Sequence, residues 1–275
     1  MRYLLVLTVA VAACDRAPHG SASAAVTADT SFLAPDGSAV PGGELGRSIR
    51  RGHAILAATR DSLPSHVGST LRCTSCHLGD GRQKDAIPLT GAYARYPRYG
   101  ARGAAIQRIE DRINDCLLRS LNGSALAFDD PAMRDIVVYL AFISRGVPVG
   151  DTGRGVPGGP AAGDAVAGAQ VFRSHCARCH GAEGAGIAPV PPLWGSRSFN
   201  IGAGMARVRT AAAFIRHNMP LDRAGSLTDL DALNVAAYVT SRPRPDFAGK
   251  ERDWPRGDAP PDAPYTTLGG RRSPQ

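Results

Sequence analysis

Lysine is nearly missing from this sequence. Of 32 lysine and arginine side chains, only Lys84 and Lys250 are lysines. No basic run is interleaved with aromatics, so the formal net charge of +8 points away from nucleic acid. It points instead toward anionic substrates, acidic partner proteins or anionic lipid. Aromatics are scarce at 6%, which argues against a β-sandwich. Strand signals are weak throughout, which leaves an all-α fold. The one sustained apolar run, Tyr3 to Ala13, is too short to remain as a membrane-spanning helix.

What is present is a repeated box. Cys73-Thr74-Ser75-Cys76-His77 is matched by Cys176-Ala177-Arg178-Cys179-His180. Two thiols at this spacing add to the two vinyl groups of a haem, and the following histidine sits under the iron. Zinc needs four ligands drawn together, and a finger does not place His directly after Cys. A thioredoxin-type pair needs a βαβ context that the sequence lacks. Two covalently bound haems c are therefore expected, attached through Cys73, Cys76, Cys176 and Cys179, with His77 and His180 as axial ligands. Cys14 and Cys116 remain, and each has its own reading.

Residues 1–13 read as a secretory signal. Val11-Ala12-Ala13-Cys14 resembles a bacterial lipobox, and cleavage there would leave Cys14 acylated as a lipid anchor. An ordinary signal peptide cut nearby is the alternative. Either way the expected location is the periplasm, and acylation with Asp15 next to it would tether the chain to the inner membrane. Residues 15–43 read as a flexible tether. An N-terminal cytochrome c-like domain is expected over 44–145, with Leu45, Ile49, His53, Leu56 and Ala57 at helical spacing. A helix from about Leu126 or Pro131 to Ser144 carries Ile136, Val137, Leu140 and Ile143. Residues 145–163 hold seven Gly and three Pro, so 146–163 reads as a linker. A second cytochrome c domain follows over 164–242. There Asp164 caps a helix carrying Val166, Gly168, Phe172 and His175. A closing helix over about Thr228 to Ser241 carries Leu230, Leu233, Ala237 and Tyr238. Gly168 lets that helix pack near, with Tyr238 as partner. Residues 243–275 read as a Pro-rich tail that wraps or dangles.

Each iron needs a sixth ligand or leaves an open site. Met219, 39 residues after His180, is the candidate in the second half, with His217 and Met205 behind it. The same offset from His77 lands on Cys116. That cysteine is either a plain buried thiol or a thiolate ligand; His53 and His66 compete for the distal place. Arg102, Arg108, Arg112 and Arg119 surround it in sequence. At i, i+4 spacing, Arg108, Arg112, Cys116 and Ser120 share a helix face. Guanidinium there would stabilise the thiolate and hold a sulfur oxyanion. For Arg108 and Arg119 the expectation is a solvated face pairing with Glu110, Asp111 and Asp115.

The segment Leu71-Arg72-Cys73-Thr74-Ser75-Cys76-His77-Leu78 resembles the thiosulfate dehydrogenase family of dihaem cytochromes c. So do Glu110-Asp111-Arg112-Ile113-Asn114-Asp115-Cys116, Arg119-Ser120-Leu121-Asn122-Gly123, and Ala211 to Pro220. The resemblance covers about residues 44–241. It implies a catalytic first haem ligated by His77 and Cys116, with Arg102, Arg112 and Ser120 at substrate-binding positions. It implies a second, electron-accepting haem ligated by His180 and Met219. The implied reaction joins two thiosulfates into tetrathionate and passes two electrons to a small cytochrome c or similar acceptor. Some members use a lysine as an alternative second-haem ligand; this chain has none between Lys84 and Lys250. Three other readings stay open: a non-catalytic dihaem relay, the dihaem subunit of a multienzyme thiosulfate-oxidising system, and a haem peroxidase.

Overall fold

The computed structural model describes residues 34–149 and 162–270. The expected signal, Cys14, most of the tether and most of the linker lie outside them. The regular structure in the described residues is helical apart from one short hairpin. In order come α1 (Gly43–Ala57), α2 (Thr59–Ser62), β1 (Arg98–Gly100), β2 (Ala105–Gln107), α3 (Ile109–Asp115) and α4 (Pro131–Ile143). Then follow α5 (Ala165–Val171), α6 (Ala177–His180), α7 (Val208–Asn218) and α8 (Asp229–Ser241). Among the described residues no helix is long and apolar enough to cross a membrane.

The helices start where side-chain acceptors satisfy their first amides. Asp130 accepts from Ala132 N–H with Pro131 opening α4, Asp164 accepts from Val166 and Ala167, and Thr228 accepts from Asp231. Two helix pairs then cross on glycine. A Cβ at Gly168 would lie 2.0 Å from the Asn234 carbonyl and 3.0 Å from Tyr238 Cβ, so α5 and α8 touch backbone to backbone. In the first half, a Cβ at Gly52 would lie 2.1 Å from the Asp135 carbonyl and 2.7 Å from Tyr139 Cβ. No other residue fits either crossing without displacing backbone.

Ile49, Leu56, Met133, Ile136, Tyr139, Leu140 and Ile143 form the centre of the first core. The second core is small: Phe172, Trp194, Val235 and Val239. There Phe172 packs tilted against both Trp194 and Tyr238, and Trp194 meets Tyr238 edge to face, with centroids 5.1 to 5.8 Å apart. Leu45, Val166 and Leu230, expected to face inward, are exposed. Each lies in the first turn of its helix, before the helix reaches its crossing.

The first half is not self-contained. Phe199, Ala203 and Ala206 belong to the stretch expected in the second domain, yet they are buried in the first core. Asn200 fixes that insertion: its amide group donates to the Leu118 carbonyl at 2.8 Å and its N–H to the Arg119 carbonyl at 3.1 Å. The segment after α8 packs as well. Asp253, Trp254 and Asp262 within it are buried.

Candidate functional site

A cavity of about 480 Å³ lies between α1, α3, α4 and the 199–207 segment. Cys73, Cys76 and His77 line one side of it. Leu56, Leu71, Ile87, Leu89, Leu117 and Leu140 give it apolar walls, and Arg102, Arg112, Cys116 and Ser120 line it too. The fold thus gathers residues from the first haem box and from α3 onward around one space.

The local backbone explains the arrangement. Cys73–Ser75 is a single 3₁₀ turn, and the Cys73 N–H donates to the Thr59 hydroxyl at 2.9 Å. His77 Nδ1 lies 2.6 Å from the Ile87 carbonyl oxygen, which fixes the ring and leaves Nε2 to bind a metal. Burial pushes the His77 imidazole down to about 4, so it is the neutral ligand form. Burial also holds Cys73 at about 11 and Cys76 at about 12. These are the protonated thiols of an apolar wall. The donor set therefore fits a covalently attached haem: two thiols, one oriented neutral imidazole and an apolar chamber.

Cys116 opens a π turn, Cys116–Ser120, that extends α3. Such turns break the 3.6-residue period and often mark functional sites. Arg108 alone leaves the expected shared face, because it is the extended N-cap of α3 rather than part of the helix. Arg112, Cys116 and Ser120 line the cavity, whereas Arg108 caps α3 outside it. Arg108 donates to Asp111 and stacks 4.0 Å over Phe128, as expected for a solvated face. Arg119 departs from that expectation. It is buried at 9% exposure and holds Asp253 through two 2.8 Å bonds; Asp115 is more distant at 3.5 Å. The Cys116 sulfur raises the Arg112 guanidinium above the ordinary arginine range. Among the described residues Arg112 forms no salt bridge; Asp115 adds only a smaller attraction through space.

The competing distal residues are elsewhere. His53 Nε2 lies 3.1 Å from Asp80 and its ring packs on Tyr139, while His66 contacts Ser124; neither lines the cavity. Met205 sits in the first half's cavity, packed on that core. His217 is exposed.

In the second half, Phe172–Cys176 forms a π turn that carries Cys176 against the aromatic core, and α6 brings Cys179 to the surface and His180 inward. His180 Nδ1 is 3.0 Å from the Pro191 carbonyl oxygen, the counterpart of the His77 bond. Burial lowers its pKa also. Met219, half-buried, caps α7, and the preceding Asn218 is clamped in place. Its side chain accepts from Gln83 at 2.9 Å and donates to the Asp85 and Phe214 carbonyls. This tie to the first half's haem loop spans 135 residues, and nothing local in the sequence signals it.

Comparison with known proteins places these features in a family. Residues 67–149 match the SoxA/TsdA cytochrome c domain, and residues 163–239 match the cytochrome c oxidase, cbb3-type, subunit III family. A thiosulfate dehydrogenase of Psychrobacter arcticus is 42% identical over 240 residues, which is 83% of this chain and 73% of that protein. One from Allochromatium vinosum is 44% identical over 230 residues, 78% of this chain and 84% of its own. The solved as-isolated thiosulfate dehydrogenase (TsdBA) from Marichromatium purpuratum superposes with a TM-score of 0.76 at 36% identity, covering 84% of this chain. This chain spans about half of that longer one, 54%.

Proposed function

The chain belongs to the thiosulfate dehydrogenase family of cytochromes c, and from that premise we propose that it joins two thiosulfate ions into tetrathionate at the Cys116 cavity. Thiosulfate oxidation and two covalent haems c come with the family. Product, site and acceptor are our reading. One observation carries it: the Cys116 sulfur and an arginine that forms no salt bridge among the described residues share a cavity with the first haem box.

The Cys116 thiolate, with the Arg112 charge beside it, is the nucleophile. That thiolate forms a sulfur–sulfur bond to the outer sulfur of one thiosulfate, and two electrons leave. When bound, the two haems supply the pair of one-electron acceptors that this oxidation requires, discharging to a small cytochrome c or similar protein. The second thiosulfate attacks the outer sulfur of the adduct. Tetrathionate forms, and the electron pair of the broken bond returns Cys116 to thiolate. Two dianions thus become one dianion and two electrons, and all atoms are kept. Arg102 and Arg112 offset the repulsion between the two approaching anions, and Ser120 adds a hydroxyl donor.

Cys116→Ala should lower thiosulfate-dependent cytochrome reduction by at least about 10³-fold, as for loss of a covalent nucleophile. Haem content should not change. Native turnover in a fully haem-loaded variant would remove Cys116 from the mechanism. We further propose a periplasmic enzyme tethered through Cys14, on the strength of the lipobox-like start. Membrane fractionation of Cys14→Ser tests this: protein that stays membrane-bound would exclude the tether.

A further inference from the structure

The chemistry above leaves the segment after α8 without a role, although it reaches the cavity. Trp254 lines the cavity and holds a left-handed φ of 51°, which a tryptophan adopts only under restraint. The restraint is visible. Its N–H donates to the Arg102 carbonyl at 2.7 Å, and the Arg102 guanidinium lies 4.8 Å from its ring centroid.

The same segment brings two buried carboxylates. Asp253, 5% exposed, binds Arg119 through both oxygens, accepts from the Tyr265 hydroxyl at 2.5 Å and lies 3.9 Å from Arg102 Nε. Burial and that bond keep Tyr265 protonated, with its phenol pushed up to about 12. Asp262, 8% exposed, accepts from Arg207 at 2.7 Å and from the Arg209 N–H at 2.9 Å. Arg119 and Arg207 both line the cavity. Its arginines therefore fall into two groups: Arg119 and Arg207, and more loosely Arg102, arrive with a carboxylate, whereas Arg72, Arg98 and Arg112 form no salt bridge among the described residues.

We propose that residues 243–270 set the anion selectivity of the cavity, with Asp253 and Asp262 as positioning residues that take Arg119 and Arg207 out of anion binding. The inference rests on the cavity being the thiosulfate site. An unsorted arginine cluster would hold any dianion, sulfate and product included, and would release it slowly. Cancelling two of these charges removes them from the wall formed by the far end of the chain and leaves Arg112, beside Cys116, among the arginines that still attract an anion. The segment is thus a selectivity wall made from the far end of the chain.

A double-substitution cycle on the haem-loaded protein tests this, reading KM for thiosulfate and the inhibition constant for sulfate. Asp253→Asn frees Arg119, and sulfate should inhibit about tenfold more tightly. Arg119→Gln leaves the Asp253 carboxylate with only the more distant Arg102 to offset it, and both constants should rise about tenfold. The double variant, neutral at both positions, should return to within about threefold of native. Opposite signs in the two single variants are the mark of charge sorting. Shifts of one sign, or none, would overturn the proposal, because a strap that merely holds the fold together loosens the site in both variants. If Asp253→Asn does not fold, Arg119→Gln against the double variant decides: equal constants reject the proposal. Arg112→Gln separates the two levels. If it raises KM while the cycle is flat, only the selectivity role fails. If it leaves KM unchanged, the cavity is not the substrate site and the selectivity role falls with it.

Discussion

The two halves are built on one helix crossing and diverge beyond it. Gly52 meets Asp135 and Tyr139 as Gly168 meets Asn234 and Tyr238, down to the four-residue step between the two contacts. Each haem-box histidine is aimed by a later carbonyl, Ile87 for His77 and Pro191 for His180. The difference lies in what closes over the opposite side. In the first half a π turn presents Cys116 to a cavity lined with arginine; in the second, Met219 ends a helix whose neighbour Asn218 is clamped. The first half also borrows Phe199, Ala203 and Trp254 from outside its own stretch, whereas the second keeps a four-residue core. A shared scaffold therefore fixes where the histidines sit, while segments remote in sequence set the chemistry above them.

The likeness can be broken at the crossings, where the largest effect on stability is expected. Gly52→Ala and Gly168→Ala each force a methyl group against a carbonyl oxygen 2.1 and 2.0 Å away. Backbone must move in both, at a cost of about 1–3 kcal/mol each. Urea unfolding of the haem-loaded protein, followed by Soret circular dichroism, measures the two costs. Similar losses would establish the crossings as equivalents. Tolerance of one and collapse with the other would show that the resemblance stops at geometry.

That result also bears on what can be read from sequence. Gly168 and Tyr238 were legible because an apolar helix surrounds that glycine. Gly52 was not, since Arg50, Arg51 and His53 flank it and hide the buried face. The boxes and α4 and α8 were legible from spacing and period. The short hairpin β1–β2 gave no signal, with Tyr99 and Ile106 both exposed. Arg119 was misplaced on a solvated face because i, i+4 logic finds Asp115 and cannot see Asp253, 134 residues away. The segment after α8 reads as a tail for the same reason. It has proline and no period, and its structure consists of long-range contacts. Met205, considered for the second haem, lies in the first cavity because the 199–206 stretch inserts there.

A smaller effect sharpens the comparison at one equivalent pair. Asp135 and Asn234 occupy matching places, each offering its carbonyl to the crossing glycine. The Asn234 side chain accepts from the Asp164 N–H at 2.9 Å and carries no charge. The Asp135 carboxylate accepts from Ser48 at 2.5 Å and Arg51 at 2.7 Å. Burial alone would raise its pKa, but those two bonds outweigh it and hold the group below the ordinary carboxylate range. A lowered folded pKa stabilises the protein above the unfolded value, about 3.9, and that contribution is lost as pH falls through the folded one. Arg51 is half-exposed, with 56% of its side chain accessible, so the pair is worth only about 1 kcal/mol. Asp135→Asn, which makes the first crossing resemble the second, should cost that amount near about pH 6 and almost nothing near about pH 3. Urea midpoints at the two pH values read the difference. An equal loss at both would mean that Asp135 acts through shape rather than charge, and that the two crossings differ in composition but not in acid response.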